Sequence, residues 1–248
     1  MAFPKEGFVS PATYNGLPYI SEVSRVPVDN PNDLQEPRSL LVKYQAPKTI
    51  CIRLIHKPFD INAGEAIVVK KIDIPKHETV SVLGPTKVTA TPGLLHGLHF
   101  LVDANGQLQP YEYSPSPLPD VSGFEPLFAD FCRLVVERGL QRKFGWKTGR
   151  DSESDMAGWT EFEFPEDRGT IMIPKGLPTP EGEYEFTVET EFHANPRDDD
   201  EGCSHANTTT CMHCSHSYKS GGELCVDGRR VEPGTPFHSL FSAAVEVW

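Results

Sequence analysis

The chain has 248 residues, 38% of them hydrophobic and 23% charged, a composition that builds a core without needing a staple. Its 23 basic residues stand against 35 acidic ones, a formal charge of -12, and no Lys/Arg-rich run offsets that balance locally. Such a surface repels phosphate backbones and anionic bilayers, so neither nucleic acid nor a membrane is an expected partner. The start, MAFPKEGFVSPATYNG, carries no apolar core of signal-peptide length, and no apolar run reaches the roughly 18 residues of a membrane span. The expected location is therefore cytoplasmic.

Residues 1–37 hold six prolines and little periodicity, and read as a Pro-rich arm laid in extended form across a single α+β domain at 38–248. β-type patterning begins after Ser39. The segments at 49–56 (TICIRLIH) and 65–74 (EAIVVKKIDI) are rich in Ile and Val and bounded by turn residues. Two short runs, 79–84 and 86–91, follow with a Gly-Pro break between them. Asn105-Gly106 then separates two strand-like runs within 99–113, a strong hairpin signal. An antiparallel meander or sandwich-like sheet is expected.

One main amphipathic helix is expected within a helical segment at 116–149. Ser122 and Glu125 have the spacing of a capping box. Phe124, Leu127, Phe128, Phe131, Leu134 and Val135 then form an apolar stripe, and Gly139 supplies a stop. Cys132 beside that stripe and Cys51 within TICIRLI read as small buried hydrophobes. Residues 159–174 read as a hairpin turning near EDRG. Along 182–193, Tyr184, Phe186, Val188, Thr190 and Phe192 alternate with Glu183, Glu185, Thr187, Glu189, Glu191 and His193, which predicts a core face and a solvated acidic face. The end of the chain, SAAVEVW, reads as a last strand.

The C-terminal stretch at 193–232 reads as a Cys/His metal-binding loop. Residues 203–225 contain four of the six cysteines and three of the nine histidines. Thiolate and imidazole both suit zinc, and Cys211-x-x-Cys214 would let two sulfurs reach one ion from a tight turn. Cys203 and Cys225 complete a four-sulfur set, with His205, His213 and His216 as alternative donors. A long polar loop without its own core needs such a restraint. Disulfides among the same cysteines, and no bond at all, are the rival readings; a reducing compartment disfavours the first.

Two functions follow. In the first, zinc folds the C-terminal loop of a binding or scaffold module whose ligand is an unknown protein or small molecule. In the second, an open Cys/His site makes the chain a zinc-dependent hydrolase or lyase, with His193, His213 or His216 as ligand or proton carrier. No nucleophile elbow, phosphate loop or dinucleotide fingerprint is present, and no catalytic residue can be assigned. His96 and His99, three apart on a strand, are expected on opposite faces.

Overall fold

The computed structural model describes residues 7–73, 79–90, 94–117, 119–149, 159–164, 167–174, 186–194, 209–213, 216–219, 223–226, 229–230, 234–235, 238–239 and 242. The Pro-rich start is helical rather than extended. It forms α1 (Pro11–Asn15), α2 (Ile20–Val23), α3 (Val26–Asp29) and α4 (Pro31–Lys43). Prolines occupy the first or second position of α1, α3 and α4, where a helix has no use for the missing N–H. The expected boundary at 37/38 falls inside α4, which buries Leu34, Pro37 and Leu41.

The strands in chain order are β1 (Ile50–Leu54), β2 (Glu65–Asp73), β3 (Thr79–Lys87), β4 (His96–Val102), β5 (Leu108–Ser114), β6 (Phe144–Thr148), β7 (Trp159–Phe164), β8 (Gly169–Pro174), β9 (Phe186–Glu189), β10 (Glu191–Phe192) and β11 (Thr209–His213). They form one sheet in the order β10-β1-β6-β4-β5-β2-β3-β8-β7-β11-β9. It is mixed, with β2–β5 and β7–β11 parallel, and is not a simple meander. The outermost strands, β9 and β10, are two halves of one segment. Phe186–Glu189 pairs with β11, Glu191 and Phe192 pair with β1, and the Leu54 N–H donates to the Thr190 carbonyl between them at 2.8 Å. The sheet therefore curls until its two edges meet on residues 186–192. Three further strands, β12 (His216–Lys219), β13 (Glu223–Val226) and β14 (Arg229–Arg230), make a small separate sheet.

Two other expectations are corrected by local chemistry. The Gly-Pro pair at 84–85 does not interrupt β3. β8 pairs only with Ser81–Leu83, so that flank of Pro85 owes no ladder N–H. The helix α5 (Glu125–Glu137) starts after Phe124, not after Ser122, because Gly123 sits at φ 92, outside helical space. The Glu125 carboxylate instead accepts from the Gly123 N–H at 2.9 Å. The Asn105-Gly106 hairpin forms between β4 and β5, with Gly106 at φ 71. The hairpin at 159–174 forms as β7–β8.

Curling gives the sheet an outside and an inside. Along β1, Ile50, Ile52 and Leu54 face out and pack with Leu34 and Leu41 of α4 and Leu127, Phe128, Phe131 and Val135 of α5. Trp146 of β6 centres this outer core, its ring 4.8 Å from Phe128 and 5.1 Å from Phe131. A second apolar cluster joins Val9, Tyr14 and Leu17 of the N-terminal segment and Ile55, Phe59 and Ile61 of the β1–β2 connection to Ile67, Val69, Leu83, Leu101 and Tyr111 of the strands.

β6 must run close to β4 for this packing. A Cβ on Gly145 would lie 2.2 Å from the Phe100 carbonyl oxygen and 3.0 Å from the Ile55 side chain. Gly145→Ala is expected to destabilise the fold by about 1–3 kcal/mol in urea unfolding. An unchanged midpoint would mean that β4 and β6 can part there without penalty.

Candidate functional site

Register, not sequence proximity, assembles the inner face. Cys51 stands opposite Lys147, Lys147 opposite His99, and His99 opposite Glu112. These four residues form one row across β1, β6, β4 and β5. Arg53 lies one step along, opposite Gly145 on one side and Glu191 on the other. Continuing that register brings Cys51 opposite His193. A bulge in β5 skips Tyr111, which lets Tyr111 and Glu112 both approach Arg53. From β7, Glu161 reaches the same place.

Arg53, 1% exposed, is the hub. Its Nη1 donates to Glu191 Oε1 at 3.0 Å, and its Nη2 lies 3.9 Å from Glu161 Oε2. Lys147 Nζ donates to the other Glu191 oxygen at 2.8 Å. Burial works against the Arg53 charge, but Tyr111, Glu112, Glu161 and Glu191 outweigh it and hold the guanidinium well above its ordinary range. Burial likewise opposes ionised Glu191, yet Lys147 and Arg53 hold that carboxyl below the usual carboxylate range. Glu161 follows the same pattern, with burial overcome by His56 and Arg53. His56 Nδ1–H donates to the Leu54 carbonyl at 2.9 Å, which turns Nε2 toward Glu161 Oε2 at 3.9 Å.

Glu112 behaves differently. Burial pushes its carboxyl up to about 7, with Arg53 only partly offsetting the rise. It hydrogen-bonds His99 Nδ1, and burial together with Arg53 and Lys147 holds the His99 imidazole well below its ordinary value. The pair therefore exchanges a proton near neutrality, chiefly at Glu112. Below about 7 the carboxyl donates to Nδ1 and Nε2 carries the ring proton; above it Nδ1–H donates and Nε2 is a lone pair. His99 Nε2 has no hydrogen-bond partner among the described residues, nor has the Tyr14 hydroxyl. The two rings flank Tyr111, with centroids 6.1 and 6.4 Å from it.

The acidic face expected along 182–193 is thus solvated only in part. Glu189 is exposed, but Glu191 and His193 are 2% and 8% exposed, because closure of the sheet buries both sides of the segment. Cys51 is buried as expected, although its neighbours are charged rather than apolar. Cys51, Glu191 and His193 each bring one donor atom within 4.8 Å of the other two, a group that could hold a metal. His99 is buried and His96 half-buried.

Of the expected zinc donors, Cys203, His205 and Cys214 lie outside the described residues, as does all but Ser242 of the expected strand at 242–248. Cys211 and His213 fall on β11, His216 on β12 and Cys225 on β13. The stretch is therefore strand where it is described, and Cys211 sits in a ladder opposite Glu161 and Val188 rather than in a tight turn. Among the described residues, no helix is long and apolar enough to cross a membrane. Comparison with protein-family models, with curated proteins and with solved structures returned no match.

Proposed function

We propose that the inside of the curled sheet is the site of a lyase- or isomerase-type enzyme, in which His99 and Glu112 move a proton on a small molecule. The carrying observation is the buried Glu112–His99 pair with its Nε2 turned away from the carboxyl and without a hydrogen-bond partner among the described residues. A proton taken at Nε2 passes through the ring as Nδ1–H is handed to Glu112, whose carboxyl titrates where a general acid or base is most effective. The Tyr14 hydroxyl is a hydrogen-bond donor for an oxygen of the same molecule.

Charge limits the substrate. Glu161, Glu163 and Glu191 stand against Arg53 and Lys147 of the same interior, and Glu112 adds a further negative charge above about pH 7, so the interior is net negative. A neutral carbonyl compound or an amine fits that interior, and a polyanion does not. A cytoplasmic setting agrees with Cys132 being a buried free thiol.

A protein-observed NMR screen of small ketones, amides and amines, run about one unit either side of pH 7, tests the reading. At least one class should bind, shift the His99 ring signals and lose affinity at least tenfold in His99→Gln. A panel that leaves those signals unmoved in folded protein would refute it.

The density of thiols and imidazoles at 203–225 supports a second reading, in which zinc held by Cys203, Cys211, Cys214 and Cys225, or by His205, His213 and His216 in exchange, shapes a binding surface. Its partner would be a protein or small ligand.

A further inference from the structure

We infer that Cys51, Glu191 and His193 form a binding site for a thiophilic divalent cation, zinc being the best match, at the seam where the curled sheet closes. The donors come from both sides of the seam, Cys51 from β1 and the other two from the β10 segment. All three are buried, and their ligand atoms lie within 4.8 Å of one another. Around a tetrahedral zinc, neighbouring ligand atoms lie about 3.3–3.8 Å apart, so movements of about 1 Å complete the geometry. The seam is held from outside, since Arg38 of α4 donates from Nε to the His193 carbonyl at 3.0 Å.

Sulfur, imidazole and carboxylate together select zinc or cobalt over magnesium or calcium, which take oxygen alone. A cation also suits the charge of the interior, where Glu161, Glu163 and Glu191 outnumber Arg53 and Lys147. Glu191 already answers Arg53 and Lys147, one through each oxygen, so it would bridge the ion and the cations. Three protein donors leave a fourth position open, the arrangement of catalytic rather than structural zinc. Lys147 lies one strand from Cys51 and His99 two, which puts the ion about 10 Å from the proton-transfer pair. The site does not depend on that pair being catalytic.

The test uses the full chain, freed of metal by a chelator, checked for fold by circular dichroism and titrated with cobalt(II). Elemental analysis of protein purified without added metal accompanies it. Wild type should bind cobalt with a thiolate-to-metal charge-transfer band and hold about one zinc per chain at this site. Cys51→Ser and His193→Gln should each lower bound metal by about one per chain and weaken cobalt binding at least tenfold, with Cys211→Ser leaving this site filled. Should Cys51→Ser not fold, His193→Gln carries the test, because it should lose the sulfur band together with the metal, and an unchanged band at unchanged affinity would count against the site. Full metal retention in both seam variants, or loss confined to Cys211→Ser, would overturn the inference and move the ion to the C-terminal cysteines. Folded wild type that takes up no cobalt would overturn it as well.

Discussion

Arg53→Met should cost the fold about 3–5 kcal/mol at neutral pH, the usual result of removing one partner from a buried charge network. Arg53 is 1% exposed and touches the carboxylates of two other strands, Glu191 from β10 and Glu161 from β7. Methionine matches its length but leaves Glu191 to Lys147 alone and Glu161 to His56. The sign of the pH dependence separates charge from packing. In the wild type both carboxyls are held below their ordinary value of 4.5, so their stabilisation is present above about 4.5 and is lost as the pH falls through their depressed folded values. The variant lacks the share of that term that Arg53 supplies, while Lys147 still acts on Glu191 and His56 on Glu161. Its urea-unfolding curve should therefore lie far below the wild type at pH about 7 and close on it in acid. A gap of constant size would mean that the guanidinium acts only as filling.

This network was the least legible part of the molecule. Individual strands could be read because Ile and Val runs and turn residues are local signals, as in Ile50–Leu54 and the Asn105-Gly106 hairpin. Which face of a strand stays wet is not local. Alternation along 182–193 sorts Glu191 and His193 from Phe192 correctly, but the solvated face becomes an interior only when residues 186–192 close the sheet. Cys51 reads as a hydrophobe because Ile50 and Ile52 flank it, yet those side chains point to the other side. The row Cys51, Lys147, His99 and Glu112 draws on four strands spread over nearly a hundred positions, and only register joins them. One signal was available. Thr160-Glu161-Phe162-Glu163-Phe164 places two carboxylates within a segment otherwise suited to a core strand, and all five residues are buried. The helices at the start were hidden by their own prolines, which usually break a helix in its middle; Pro11, Pro27 and Pro31 instead sit in first turns, and Pro37 is carried inside α4.

Glu112→Gln should change the pH profile of stability more than its value at any one pH. In the wild type Glu112 titrates at about 7 in the folded chain and near 4.5 in the unfolded one. Between those values the folded state keeps a proton that the unfolded chain has released, so this group's contribution falls as pH rises, by about 3 kcal/mol over the whole interval. His99 has the opposite sign. Its folded value is depressed by burial, Arg53 and Lys147, so below about 6.5 the unfolded chain gains a proton that the folded chain refuses, and stability is lost as pH falls. Below about 6.5 the two effects therefore oppose each other. Glutamine removes the first limb and leaves the second, because Glu112 is not among the main causes that depress His99. The variant should gain about 3 kcal/mol on the wild type between pH about 5 and pH about 8, measured by urea unfolding at several pH values. Parallel profiles would show that Glu112 is ionised in the folded chain throughout that range, and His99 Nε2 could then not be switched from donor to acceptor by its partner.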